Sequence, residues 1–226
     1  METPTPTSAA RDSNAASEFK AIFPPQYTIL GVKLLPLSIG RYRLMKWAGV
    51  AFVSEEEGMA TIEDLFTGIA ICGMQCRDFK QLFNDGKLQA ELSKWGKKLR
   101  KQINAEKGFS IYEKIALFQQ YIEEGQTLPW VALPVQTENP PDYTNTHWSN
   151  NVEVVLRGSL GWTKDEIDEE PLAKALADYF KHMENEGRVR LMPHELYLEM
   201  VDEGEANMKV FEKMAESQKK EALCPA

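Results

Sequence analysis

A helix-start pattern in the last third of this 226-residue chain constrains its fold more than any other feature. Thr163 and Glu166 have the spacing of a capping box, in which each side chain satisfies a backbone N–H left free at the start of a helix. Pro171 suits the first turn of a second helix, because the N–H that proline lacks would have no partner there. Apolar residues then recur at helical spacing as far as Gly187, which can take the left-handed conformation that ends a helix. The stretch 161–192 therefore predicts two capped helices in close succession.

The same helix-start signal occurs twice more along the chain. Thr61 with Asp64, and Ser110 with Glu113, have capping-box spacing and precede apolar stripes of helical period. The helix after Thr61 is apolar on more than one side, which predicts a place at the centre of the core. We expect the helix after Ser110 to end at Gly125, since glycine commonly closes a helix.

The ordered part of the chain is expected to begin with an extended segment. Residues 27–35 alternate imperfectly around Gly31, which indicates a short hairpin or an extended pair that Pro36 ends. Ser38 is then a candidate N-cap for a helix that Gly49 closes.

The distribution of proline and apolar residues predicts four regions. Residues 1–22 lack periodicity and are expected to form a disordered arm, followed by a helical domain with a short extended entry over 23–126. A proline-rich connector covers 127–147, and a C-terminal helical domain covers 148–226. The first part of the connector is too apolar for a free linker, so we expect a strap without a helix of its own. The predicted fold class is mostly α, a multi-helix bundle in two halves with a short N-terminal β-hairpin or extended segment.

Composition excludes several classes of function. The formal net charge of −8 argues against nucleic acid as the main partner, and no apolar run approaches the roughly 20 residues that span a bilayer. The first ten residues lack the basic and apolar regions of a secretory signal, so we expect a cytoplasmic protein. An odd set of cysteines, Cys72, Cys76 and Cys224, indicates reduced thiols, and the first two are expected to pack in the core rather than bind metal.

No pattern of catalytic, cofactor-binding or metal-ligating residues is present, which predicts a protein that is not an enzyme and has no cofactor. Of the three histidines, His182 is expected on a solvated helix face, and His147 beside Trp148 marks the place for an outside alternative, a hydrolase. The acidic residues from Asp165 to Glu170 lack the ligand spacing of a calcium loop, so we interpret them as a solvated helix start.

The strongest charge feature is a basic stripe from Lys87 to Lys107 on a predicted amphipathic helix. One interpretation is a binding surface for an acidic partner, protein or RNA. The other is a solvated helix face, or one docked against the acidic second half of the chain, and this second interpretation is favoured.

Two stretches resemble small proteins encoded among the tail genes of tailed bacteriophages and prophages. The first runs Ile-Leu-Gly-Val-Lys-Leu-Leu-Pro-Leu-Ser-Ile-Gly-Arg-Tyr-Arg-Leu-Met from Ile29. The second runs Leu-Gly-Trp-Thr-Lys-Asp-Glu-Ile from Leu160 and, after a gap of three residues, Pro-Leu-Ala-Lys-Ala-Leu-Ala-Asp-Tyr from Pro171. The positions that match are Pro36, Gly40, Gly161, Trp162 and Pro171.

Proteins of this kind are regarded as tail assembly chaperones. The resemblance implies a helical, non-enzymatic factor of the host cytoplasm that binds the long helical tape-measure protein and helps the tail-tube protein polymerise around it. An apolar groove for a helical partner is the expected mode of binding. A structural virion component of tail or head-completion type is the alternative, and the oligomeric state is left open.

Trp162 lies at N′, directly before the cap Thr163, where an apolar side chain staples onto the fourth helical residue, here Ile167. A role in the core is therefore favoured over a role on a partner-binding surface.

We predict that the N-terminal arm contributes little to stability. Deleting residues 1–22 removes almost no apolar surface that could be buried, so the melting temperature should change by no more than a few degrees. Thermal unfolding followed by circular dichroism tests this, and a larger drop would show that the arm is docked.

Overall fold

The computed structural model describes residues 24–54, 59–105, 110–128, 130–135, 147–204 and 208. Helices predominate among these residues, beside two antiparallel two-stranded sheets, which confirms the predicted mostly α class with a small β element. The predicted arm over 1–22, most of the connector after residue 135 and the last part of the chain lie outside the described residues.

The elements follow one another in this order. A hairpin of β1 (Thr28–Ile29) and β2 (Val32–Lys33) precedes α1 (Ile39–Trp47) and a single 3-10 turn (Ala51–Val53). Then come α2 (Ile62–Cys72), α3 (Cys76–Asn84), α4 (Leu88–Ala105) and α5 (Ile111–Gln126). The strand β3 (Trp130–Pro134) is followed by α6 (Trp148–Gly158), α7 (Lys164–Glu169), α8 (Leu172–Asn185) and β4 (Val189–Pro193). A last helix, α9, covers residues 194–204.

The predicted hairpin is present and turns within two residues. Ile29 pairs with Val32, and the turn residues Leu30 and Gly31 both have positive φ, at 49° and 70°. Two positive φ values suit the right-handed twist of a tight hairpin, and glycine adopts them without strain.

The helix starts form where the capping pattern predicts them. Both halves of the capping box are made at Thr61 and at Thr163. Ser38 accepts a hydrogen bond from the Arg41 N–H, and Ser110 accepts one from the Glu113 N–H.

The prediction that Gly125 ends its helix was wrong. Helix α5 continues to Gln126, and Gly125 is a buried residue within it. A Cβ added at Gly125 would lie 2.7 Å from the Cβ of Leu37, so the missing side chain lets α5 approach the segment before α1. Besides ending helices, glycine commonly occurs where two segments of the chain approach each other closely.

One hydrophobic cluster includes residues from both sides of the proline-rich connector. Helix α2 lies within it, as predicted, with Leu65 and Ile69 fully buried. From the far side of the connector, Leu156, Ile167 and Leu172 are equally inaccessible. The backbone N–H of Leu172 also donates to the carbonyl of Leu37 over 2.6 Å, which ties the start of α8 to the segment before α1.

The apolar part of the connector forms strand β3, which pairs with β4 from Trp130 opposite Pro193 to Pro134 opposite Val189. The sequence predicted a strap here, but not its pairing with a strand that follows α8. The ammonium of Lys181 lies 5.1 Å from the centre of the Trp130 ring, a cation–π distance.

Cys72 and Cys76 are buried free thiols, which confirms their predicted core packing. Burial raises the pKa of Cys72 to about 12 and that of Cys76 to about 11. Both therefore remain protonated at neutral pH and are poor nucleophiles.

We predict that Trp162 stabilises the fold. Its ring is half-buried against the core, with the Lys174 ammonium 5.3 Å from the ring centre. Because burial is partial, Trp162→Ala should lower the free energy of unfolding by about 2–3 kcal/mol, below the usual cost for a core tryptophan. Urea unfolding measures this, with the exposed Val154→Ala as control. A wild-type unfolding curve for Trp162→Ala would instead favour a role on a partner surface.

Candidate functional site

Two large aromatic side chains lie together on the surface. Trp47 is 61% exposed and Phe83 is 55% exposed, and their rings meet edge to face with centroids 5.4 Å apart. Exposed aromatic clusters of this kind are unusual on a monomer and often mark binding sites. We call these two residues and the grooves on either side of them the Trp47 surface.

The helices that carry the pair explain why it is exposed. Trp47 is the last residue of α1, whose inner face is buried through Ile39, Tyr42 and Met45. In α3, Phe79 is buried and Phe83 follows one turn later, where the helix ends at the surface. Each helix therefore anchors in the core at its start and presents an aromatic ring at its end.

Two grooves share Trp47 as a wall. The larger, of about 710 Å³, runs along α4, and its apolar lining includes Ala48, Phe66, Leu88 and Leu92. The smaller, of about 350 Å³, lies between α1 and α3 and is lined by Leu44, Trp47, Phe79, Lys80, Phe83 and Asn84. The smaller groove is largely apolar, whereas the larger one combines its apolar lining with polar and charged side chains, among them Glu63, Lys97 and Arg100.

The rim of the larger groove is basic. Lys97 and Arg100 line it, and the other side chains of the basic stripe from Lys87 to Lys101 are likewise exposed. Arg100 forms an ion pair with Glu63 over 2.6 Å, whereas no described carboxylate lies within ion-pair distance of Lys97 or Lys101. The described lysines and arginine of the stripe are therefore exposed, and Lys107 lies outside the described residues.

A buried polar cluster holds α1, and with it Trp47, in position. The guanidinium of Arg41, only 1% exposed, forms an ion pair with Glu169 and donates to the Pro36 carbonyl over 3.1 Å. The Ser38 hydroxyl donates to the backbone carbonyl of Asp168. We call Ser38, Arg41, Asp168 and Glu169 the Arg41 junction.

The junction also reaches the helix that carries Phe83. The N–H of Cys76, at the start of α3, donates to the Glu169 carboxylate over 2.6 Å, and Lys80 forms an ion pair with Asp168. Glu169 therefore links the starts of α1 and α3, whose ends carry the two exposed rings. The distance between those rings depends on this link.

The interpretation of Asp165–Glu170 as solvated was wrong for two of its residues. Asp168 is 4% exposed and Glu169 accepts the bonds of the junction. The sequence missed this because the cationic partner, Arg41, lies more than a hundred residues away. Gly40 is a weak signal for the contact, since a Cβ there would lie 2.6 Å from the Asp168 carbonyl oxygen.

His147, the place considered for a hydrolase site, acts as the N-cap of α6. Its Nδ1 accepts from the Ser149 N–H over 3.3 Å, and its ring lies beside Tyr42 and Trp148. His182, predicted to be solvated, is instead half-buried, and its Nε2 lies 3.2 Å from Glu186.

The described part of the chain holds no group of three His, Cys, Asp or Glu side chains arranged to bind a metal ion. None of its described helices combines the length and the apolar character that crossing a bilayer requires.

The chain matches no known protein-family model, no curated protein and no solved structure. The Trp47 surface is therefore the candidate site on its geometry alone.

We predict that removing the junction's cation destabilises the fold. Arg41→Met keeps most of the side-chain stem but leaves the Glu169 carboxylate without its buried partner, which should cost about 3 kcal/mol of unfolding free energy. Guanidinium denaturation measures the loss. Arg157→Met, which removes an exposed ion pair with Glu153, is the matched control and should cost less than about 1 kcal/mol. Equal effects of the two substitutions would contradict the role given to the junction.

Proposed function

We propose that this protein is a non-enzymatic assembly chaperone of a phage tail, which acts in the host cytoplasm by holding an amphipathic helix of a tail protein. The tape-measure protein is the proposed partner, and the Trp47 surface is the proposed site. The observation that carries this proposal is the exposed Trp47–Phe83 pair, in which Trp47 lines two adjacent grooves with apolar walls and Phe83 lines the smaller of them.

A helical partner fits the shape of the surface. A helix that lays its apolar face into a groove contacts it through residues at i, i+3, i+4 and i+7. Side chains one turn apart could enter the two grooves on either side of the Trp47 ring. Tryptophan is enriched among the residues that dominate binding energy, because a large ring is buried at low entropic cost.

The charged residues at the rim of the larger groove indicate which charges the partner helix should carry beside its apolar stripe. Lys97, Arg100 and Glu63 line the larger groove, and since Arg100 pairs with Glu63, Lys97 supplies the excess positive charge there. A partner helix with carboxylates beside its apolar stripe would be attracted locally, whereas a basic helix would be repelled. The proposed partner is thus an amphipathic helix with acidic flanks.

The two stretches that resemble tail assembly chaperones lie close together in the fold, and this supports the proposal. The first resembling stretch contains Leu37 and Gly40, and the second contains Leu172, with Asp168 in the three-residue gap between its two parts. Leu37 bonds to Leu172 through the backbone, and Gly40 lies against Asp168. The two stretches therefore meet at the Arg41 junction, which holds α1 and its terminal Trp47.

We predict that Trp47→Ala weakens partner binding without loss of stability. The probe is a set of synthetic helical peptides with acidic flanks, taken from tape-measure proteins of tailed phages. Because Trp47 is exposed, the melting curve should stay unchanged, while the dissociation constant should rise at least about tenfold, as for a hot-spot tryptophan. Fluorescence anisotropy of the labelled peptide measures it.

Tyr112→Ala is the matched control, since Tyr112 is an exposed aromatic residue that lines neither groove. Equal binding by wild type and Trp47→Ala would overturn the proposed site. A fixed number of copies of this protein in purified phage particles would instead favour the alternative, a structural virion component.

A further inference from the structure

Helix α9 has the chemistry that the Trp47 surface should bind. Glu199, Asp202 and Glu203 lie on one face of residues 194–204, and Tyr197, Met200 and Val201 lie on the other. Met200 is 47% exposed although it belongs to the apolar face. The helix is therefore amphipathic and acidic, with apolar surface left uncovered.

The groove offers the complementary surface. Lys97 and Lys101 stand one turn apart on α4 with no described carboxylate at ion-pair distance. Beside them lies the apolar lining of Trp47, Phe66 and Leu92. An acidic amphipathic helix laid along α4 would pair its carboxylates with these lysines while its apolar face covered the groove.

We propose that helix α9 of a second copy of this chain occupies the larger groove of the Trp47 surface. This inference rests on the proposed function, because helix α9 of the second copy would compete with the tail-protein helix for the same site. No residue of α9 lines either groove of its own chain. Its start is fixed as well, since α9 directly follows β4, which is paired with β3 over five residue positions. The groove that receives α9 therefore belongs to another copy.

The proposed contact joins two different surfaces, helix α9 of one copy and the larger groove of another, and this restricts how the copies can assemble. Reciprocal exchange of α9 between two copies closes a two-fold dimer, in which both grooves are covered. The dimer covers the Trp47 side of the larger groove until a tail-protein helix displaces α9. Self-association and partner binding are then mutually exclusive.

Charge reversal of each surface in the full-length chain tests the proposal. One variant carries Lys97→Glu and Lys101→Glu, and the other carries Glu199→Lys and Glu203→Lys. All four side chains are exposed, so both variants should keep the wild-type melting curve. Each should raise the dissociation constant of the dimer at least about tenfold, because two attractions per groove become repulsions.

Mixing the two variants gives the decisive measurement. In the mixed dimer, the wild-type α9 of the groove variant meets the wild-type groove of the α9 variant. At the other contact both surfaces are charge-reversed, so lysines of α9 meet glutamates of the groove. Association should therefore return to near the wild-type level. Sedimentation equilibrium over micromolar to submillimolar concentrations measures it. A wild type that stays monomeric, or a mixture that associates no better than the separate variants, would overturn the proposal. If α9 of the same chain, or a segment outside the described residues, occupied the groove, the wild type would stay monomeric.

The peptide assay separates this inference from the proposed function. If the tape-measure peptide binds through Trp47 and the wild type is monomeric, only the second-copy proposal fails. If Trp47→Ala binds the peptide as the wild type does, the proposed function fails, whatever the state of association.

Discussion

The buried charge of Arg41 sets the constraint on which the rest of the structure depends. A guanidinium that is 1% exposed has lost its hydration, and this costs several kcal/mol unless anionic and polar groups replace the water. Glu169, Ser38 and the Pro36 carbonyl supply that replacement. Because Glu169 lies on α7, the pairing brings the C-terminal helices onto α1. Because Glu169 also accepts from the Cys76 N–H, the same carboxylate fixes α3.

The sequence predicted those features whose partners lie within a few residues of one another. The capping boxes at Thr61 and Thr163 and the hairpin around Gly31 depend on local spacing alone. Pairing of β3 with β4 and of Arg41 with Glu169 joins residues far apart in the chain, and residue types do not specify such partners. Gly125 illustrates the same limit, since a local rule made it a helix end and a contact with Leu37 kept it inside one.

The candidate site was beyond sequence reasoning for a related reason. Trp47 and Tyr42 belong to one amphipathic helix, and only the packing of its neighbours buries one ring and exposes the other. The basic stripe was visible as a charge pattern, but its position beside apolar Phe66 and Leu92 follows from the way α4 packs against α2. A charged face and an apolar groove were predicted separately, and the fold places them together.

If α9 of a second copy is to cover the Trp47 surface reversibly, it must bind there more weakly than the proposed tail-protein helix does. If nine-tenths of the grooves are occupied by α9, the apparent dissociation constant of a tail-protein helix rises about tenfold, which corresponds to about 1.4 kcal/mol. The proposed contact of α9 is with the larger groove alone. A partner helix that extends past the Trp47 ring into the second groove, beside Phe83, gains additional apolar contact, which offsets that cost. A helix that fills both grooves can therefore displace α9.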